Sequence, residues 1–190
     1  MKHLLGTLAL AAAASFSGGA AHAGLVTFDN PGLIDIDNDT FVATYAEAGF
    51  VISGPATSFL PIDGALVGGF DETPFTFSLA GGGSFGLKSF DLAPYDLGFG
   101  PGTLFVAGLL GGVQVASRSI DLTGASSLSF DAAWGNLTSV SFSGTGGFAL
   151  DNITTVPEPG TFMLAGAGLL LVGAMRRRPK GSRGRPSSRP

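Results

Sequence analysis

Apolar and polar residues alternate in short stretches through the middle of the chain. In Phe75–Leu79 the large apolar residues are separated by Thr76 and Ser78, and the same alternation recurs in Val140–Phe142 and Phe148–Leu150. A period of two predicts strands that bury one face. No stretch between Gly24 and Thr155 keeps a helical period over three turns. This part of the chain is therefore predicted to consist of strands.

Turn-forming Gly, Pro, Asp and Asn separate the predicted strands at a spacing of roughly ten residues. Such spacing predicts an all-β fold, an antiparallel β-sandwich of the jelly-roll type. The alternation places six side chains inside it: Phe77, Leu79, Phe90, Val140, Phe142 and Leu150. The predicted strands are Leu25–Phe28, Gly49–Ser53, Ala65–Phe70, Phe75–Leu79, Phe85–Leu92, Thr103–Leu110, Gly112–Ile120, Ser127–Phe130, Thr138–Ser143 and Phe148–Ile153.

The C-terminal part shows a different pattern, an uncharged apolar run of fourteen residues from Phe162 to Met175. Pro157, Glu158 and Pro159 precede it, and Arg176-Arg177-Arg178 follow it. The run is apolar on all sides, which indicates a membrane segment rather than a core helix. It is shorter than the roughly 20 residues that a typical bilayer needs, but thinning of the bilayer or snorkelling of the arginines allows a single transmembrane helix.

The N-terminal part reads as a signal peptide, Met1–Ala23. Lys2 forms a short basic region, Leu4–Ala14 an apolar one, and Ala21-His22-Ala23 a cleavage site that leaves Gly24 as the new N-terminus. The arginines after Met175 are expected to stay in the cytoplasm, so the residues before Val156 lie outside it.

The Pro-Glu-Pro box, the apolar run and the arginine cluster together resemble the PEP-CTERM sorting signal of Gram-negative bacteria. The resemblance implies recognition by a membrane-embedded exosortase and cleavage near Pro157–Pro159. It also implies an inner-membrane intermediate that is then delivered to the cell surface or the extracellular matrix. The middle of the chain is similar to the jelly-roll ectodomains that precede such signals, through Tyr45-x-x-x-Gly49-Phe50, Ser89–Ala93 and Phe148–Ile153.

Four segments follow from these patterns. Residues 1–23 are the signal peptide, 24–155 the β-sandwich ectodomain, 156–178 the sorting signal, and 179–190 a disordered basic tail. The ectodomain holds two cations, Lys88 and Arg118, against thirteen carboxylates, which gives a net charge of −11. Such a surface repels nucleic acid, which is therefore not an expected partner.

The ectodomain lacks the residues of several common catalytic sites. The chain has no cysteine, and both histidines, His3 and His22, lie in the signal peptide. Catalysis by a His- or Cys-based triad and zinc hydrolysis are therefore not expected, and we assign no catalytic residue.

Calcium is the one cofactor that the acidic residues suggest. The first and last strands of a jelly roll often lie side by side, which favours a site at Asp29, Asp151 and Asn152. The alternative is the acidic loop with Asp35, Asp37 and Asp39, which begins like an EF-hand but has Thr40 where that motif requires glycine. Both groups also have a simpler interpretation, as turn-capping or solvated carboxylates.

Trp134, Tyr45 and Tyr95 are the aromatic residues considered for sugar stacking, although burial is the more frequent fate of such side chains. The sequence thus predicts a non-enzymatic exported protein with a structural or glycan-binding sandwich, and exopolysaccharide as an expected partner. The alternative is a small secreted polysaccharide-acting enzyme that uses Asp and Glu carboxylates.

Overall fold

A computed structural model describes residues 24–98, 100 and 102–157, and these residues form thirteen strands and two short 3-10 turns. The 3-10 turns are Pro31–Leu33 and Ala132–Trp134. The strands are β1 Gly24–Val26, β2 Ile34–Asp37, β3 Val42–Glu47, β4 Phe50–Pro55, β5 Phe59–Ile62, β6 Ala65–Gly68, β7 Phe75–Leu79, β8 Phe85–Pro94, β9 Thr103–Leu110, β10 Val113–Asp121, β11 Ser126–Ser129, β12 Ser139–Thr145 and β13 Phe148–Pro157.

The strands pair into two antiparallel sheets. Sheet A has the order β11-β8-β13-β6-β5, with β1 also paired to β13. Sheet B has the order β10-β9-β12-β7-β4-β3-β2. The predicted all-β antiparallel sandwich is confirmed.

Phenylalanine side chains from both sheets fill the space between them. Phe85 of sheet A meets the rings of Phe50 and Phe77 of sheet B edge-on, each at 5.4 Å between ring centroids. Such T-shaped contacts add to the free energy gained by burying the rings. All six side chains predicted to lie inside are buried. The alternation in the sequence therefore identifies the inner face of the strands correctly.

The structure contains three strands that the sequence analysis missed: β2, β3 and β5. The prediction that Asp35, Asp37 and Asp39 lie together in a loop is wrong. Asp35 and Asp37 lie in β2, and only Asp39 lies in the following turn. Asp35 and Ile36 alternate as strand residues do, but the strand is at the edge of sheet B and is almost wholly exposed. Its acidic composition therefore resembles that of a loop.

β13 forms the centre of sheet A and carries the chain to Pro157. On one side it pairs with β8 along most of its length. On the other side its first half pairs with β6, through Phe148–Leu150, and its second half pairs with β1, through Ile153–Thr155. The first residue of β1, Gly24, consequently lies opposite Thr155 and donates its backbone N–H to the Thr155 hydroxyl at 3.0 Å.

Several predicted segments lie outside the described residues: the signal peptide, the apolar run Phe162–Met175, Arg176–Arg178 and the basic tail. Within the described part of the chain, no helix is long and apolar enough to cross a membrane.

Candidate functional site

The polar centre of sheet A lies where β13 changes partner from β6 to β1. Asp151 and Asn152 occupy this point, and the pairing of β13 with β8 is irregular just after Asp151. Asn152 has a φ of +50°. Asparagine tolerates this left-handed conformation better than most residues, so it suits a bulge that redirects a side chain.

Asn152 connects two carboxylates on neighbouring strands. Its side-chain nitrogen donates to Asp91 on β8 at 2.9 Å and to Asp151 at 3.2 Å. Asp91 lies directly opposite Asp151 in the register of the two strands. The backbone N–H of Asn152 also donates to Asp151, at 2.6 Å. One asparagine therefore bridges a cross-strand pair of like charges, which would otherwise be destabilising.

Glu47 and Asp29 extend this acidic centre. Glu47 accepts hydrogen bonds from the Tyr45 hydroxyl at 3.0 Å and from the backbone N–H of Phe28 at 3.1 Å. Burial of Tyr45, together with this hydrogen bond to Glu47, raises the pKa of the phenol above its usual range. Glu47 thus holds the backbone of Phe28, the residue that precedes Asp29.

The pKa of Asp151 is raised, mainly because the side chain is partly buried and loses solvation. The negative charges of Asp29, Asp91 and Glu47 raise it further, whereas the hydrogen bond from the Asn152 backbone lowers it.

We expect Asp151→Asn to stabilise the protein at pH 7. When the pKa of a carboxyl is higher in the folded state than in the unfolded state, its ionisation destabilises the folded state. This destabilisation is fully present at pH values above the folded pKa. This cost disappears as the pH falls through the folded pKa to the unfolded value, near 3.9. The gain in melting temperature over wild type should consequently be largest at neutral pH and vanish in acid. Asp39→Asn, which removes an exposed charge, is the control, and an equal gain there at pH 7 would contradict this account.

Asp91 and Asp151 line a groove on the outer side of sheet A, with a volume of about 480 Å³. Its remaining walls are small residues: Ala65, Ala93, Ala125, Ser126, Ser127 and Ala149, together with Leu92. The groove thus joins a shallow apolar floor to a pair of carboxylates.

The other predicted site residues lie elsewhere. Asp37 accepts from the backbone N–H groups of Asp39 and Thr40 at 2.8 and 3.3 Å, and these bonds lower its pKa. Its side chain therefore stabilises the turn between β2 and β3. Tyr45 and Trp134 are buried in the core, so neither ring is available for sugar stacking, whereas Tyr95 is half-buried.

In the described part of the chain, no three His, Cys, Asp or Glu side chains are arranged to hold a metal ion. The predicted set of Asp29, Asp151 and Asn152 contains only two carboxylates, and it stays a prediction. Asn152 directs its nitrogen, not its oxygen, towards Asp91 and Asp151, so a calcium ion there would require this amide to turn. The prediction is tested by comparing the melting temperatures of wild type and Asp151→Asn in excess calcium and in chelator.

Sequence reasoning missed two members of the acidic centre, Asp91 and Glu47. Asp91 follows the buried Phe90 and precedes the buried Leu92, so its outward direction was readable from the alternation. Its position opposite Asp151 was not readable, because it depends on the register between β8 and β13.

Comparisons with known proteins concern the two parts of the chain separately. No curated protein matches it. The crystal structure of a DUF4465 family protein from Bacteroides caccae is similar to it, with 13% sequence identity over 75% of this chain and 91% of that chain, and a TM-score of 0.41. The PEP-CTERM protein-sorting motif matches residues 155–178, the segment that begins in β13 and includes the Pro-Glu-Pro box and the three arginines. The chain therefore carries a PEP-CTERM protein-sorting motif at the end of its β-rich ectodomain.

Proposed function

We propose that this chain is a non-catalytic protein of the cell surface or extracellular matrix, whose β-sandwich binds glycan or has a structural role. The observation that carries the proposal is the sorting motif at residues 155–178. The motif implies export and processing by exosortase, a membrane enzyme. Delivery to a matrix or biofilm, and contact with exopolysaccharide, are the further steps proposed here.

The first and last strands of the β-sandwich support this route. Gly24, which follows the predicted signal cleavage site, pairs with Thr155, the first residue of the sorting motif. Both predicted processing points therefore emerge from the same end of sheet A.

The Pro-Glu-Pro box should control release of the protein from the membrane. Replacing Pro157, Glu158 and Pro159 by alanine is expected to keep the chain in the membrane fraction, as deletion of exosortase should. Pro94→Ala, which changes a proline at the end of β8 outside the motif, is the control and should be released normally. Release of the triple variant at the wild-type level would contradict the proposal.

The pairing of β13 supports cleavage at the end of this strand or beyond it. Residues up to Pro157 are paired in β13, where Pro157 lies opposite Phe85. A protease that binds an unpaired, extended segment cannot reach bonds inside this ladder without opening it. Mass spectrometry of the released protein is therefore expected to find a C-terminus at or beyond Pro157.

The groove with Asp91 and Asp151 favours one alternative, a polysaccharide-acting enzyme, because glycosidases use a pair of carboxylates with one pKa raised. The Asn152 nitrogen hydrogen-bonds to both of them, so it occupies the position between the acids where a glycosidic bond would have to lie. We therefore favour the non-catalytic role. Release of reducing sugar by the protein, abolished in Asp151→Asn, would favour the enzyme instead.

A further inference from the structure

Hydroxyl side chains are frequent on the outer side of sheet B, among apolar residues such as Val51, Ala107 and Leu109. On β12, Ser139, Ser141 and Ser143 alternate with the buried Val140 and Phe142. On β7, Thr76 and Ser78 alternate in the same way with three buried apolar residues. Strands β3 and β4 contribute Thr44 and Ser53, and β10 contributes Ser117 and Ser119. We call this surface, over strands β3, β4, β7, β12, β9 and β10, the hydroxyl face.

The register of the strands aligns these side chains across the sheet. One continuous row, in which each residue lies opposite the next, consists of Thr44, Ser53, Thr76, Ser141, Ala107 and Ser117. At the usual spacing of about 4.8 Å between strands, this row is about 24 Å long. The row thus presents five hydroxyl side chains, interrupted by Ala107, over the length of several sugar residues.

The central strands of the hydroxyl face lack charge although the domain is strongly acidic. Among the described residues, no outward position on β3, β4, β7, β12 or β9 is charged. On this side of the sheet, acids lie at its two edges: Asp35 on β2, opposite Thr44, and Asp121 on β10, which accepts a hydrogen bond from the Thr103 hydroxyl at 3.2 Å. The ectodomain as a whole has a net charge of −11. A surface selected only for solubility would carry charged side chains here as well. The separation of charge from this face indicates a partner that is itself uncharged.

Phe105 is exposed within the same face. Its side chain is 46% exposed on β9, and it lies directly opposite Ser143 on β12 and Ser119 on β10. The exposed phenyl ring leaves apolar area in water between two hydroxyl groups. The arrangement matches a sugar ring, which has an apolar face of C–H groups for stacking and hydroxyls around its edge for hydrogen bonds.

We propose that the hydroxyl face binds a neutral polysaccharide, with Phe105 stacking on a sugar ring and the surrounding serine and threonine hydroxyls bonding to adjacent residues of the glycan. This inference rests on the proposed glycan-binding function and gives it a site and a ligand class. The site is distinct from the acidic groove of sheet A, because the two lie on outer faces of different sheets. An acidic polysaccharide is excluded as the main ligand by the net charge of the domain.

The test is co-sedimentation of the full-length chain in mild detergent with insoluble cellulose or β-1,3-glucan, and affinity electrophoresis in gels that contain alginate. Wild type should bind the neutral glucans and not alginate. Phe105→Ala should weaken binding at least tenfold while the melting temperature stays near that of wild type. Phe41→Ala removes a ring that is 70% exposed in the turn between β2 and β3, four strands away from β9 and Phe105, and should bind like wild type.

A second pair of variants tests the neutrality of the face. Ser141→Asp places a charge in the middle of the hydroxyl row and should abolish binding, whereas Ser141→Thr keeps the hydroxyl and should preserve it. Undiminished binding by Phe105→Ala and Ser141→Asp would overturn the inference. If binding were lost instead in Asp91→Asn, the glycan-binding function would stand and this site would be wrong.

Two further outcomes would also overturn the inference. Failure of wild type to bind any polysaccharide would remove the glycan-binding function together with its site. A concentration-dependent dimer in analytical ultracentrifugation, dissociated by Phe105→Ala, would show that the face binds a second copy of the chain.

Discussion

Replacing Phe75 by alanine is expected to lower the free energy of unfolding by about 3–5 kcal/mol. The side chain is 1% exposed on β7 of sheet B. Its ring lies 5.2 Å from that of Phe59 and 6.2 Å from that of Phe148, which belong to sheet A, and 5.5 Å from that of Phe142 in its own sheet. Truncation would leave a cavity between the sheets that three rigid rings cannot fill. Most domains have only about 5–15 kcal/mol of stability, so the loss should be large.

The measurement is urea unfolding followed by the fluorescence of Trp134, the only tryptophan of the chain. Phe105→Ala is the matched control, since it removes the same side chain from an exposed position and should cost less than about 1 kcal/mol. The two variants should thus have opposite effects: Phe75→Ala unfolds easily but keeps the hydroxyl face, whereas Phe105→Ala is stable but loses the proposed stacking ring. Similar losses of stability in both would mean that Phe75 does not hold the sheets together.

The sequence predicts most of the fold because its strongest signal is simple. A buried phenylalanine at every second position, as in Phe75 and Phe77, indicates both a strand and the face that it buries. β3 is missed because its buried positions are the small Ala43 and the polar Tyr45, and β5 because Pro61 interrupts a stretch of only four residues. These strands depend on neighbours in the sheet rather than on their own composition.

The candidate surfaces are harder to predict, since they depend on register. Phe105 lies in the run Leu104–Ala107, where every residue is apolar, so alternation does not tell which side chains point outward. Pairing with Ser119 and Ser143 determines it, and those residues are 14 and 38 positions away. For the acidic centre, the sequence suggested that Asp29 and Asp151 lie near each other, but the bridge from Asn152 to Asp91 follows only from the bulge in β13.

Substitutions in the acidic groove and on the hydroxyl face are expected to affect different properties, stability in the first case and binding in the second. The acidic groove concentrates carboxylates that repel one another and relies on Asn152 to bridge them, so neutral substitutions there should raise stability. The hydroxyl face has no such internal conflict, and its exposed phenyl ring contributes little to the core. Changes on that face should therefore alter binding more than folding.

A second large effect is expected at Gly69, just after β6. A Cβ added there would collide with the carbonyl oxygen of Gly146 in the turn between β12 and β13. Gly69 also has a φ of +88°, which disfavours any residue with a side chain. Backbone atoms cannot move aside as a flexible side chain can, so Gly69→Ala should cost about 3 kcal/mol or more.

Gly81 and Gly82, adjacent residues between β7 and β8, allow the cost of a positive φ to be separated from the cost of the collision. Gly82 has a φ of +72° and nothing within 4 Å of an added Cβ, so Gly82→Ala should show the cost of φ alone, about 1 kcal/mol. Gly81 has the same open surroundings without a positive φ, and Gly81→Ala should be neutral or slightly stabilising. The expected order in urea unfolding is Gly81→Ala most stable, then Gly82→Ala, then Gly69→Ala. A Gly69→Ala variant no less stable than Gly82→Ala would show that the turn at Gly146 can move, and that close contact between the two turns is not needed to hold β6 against β13.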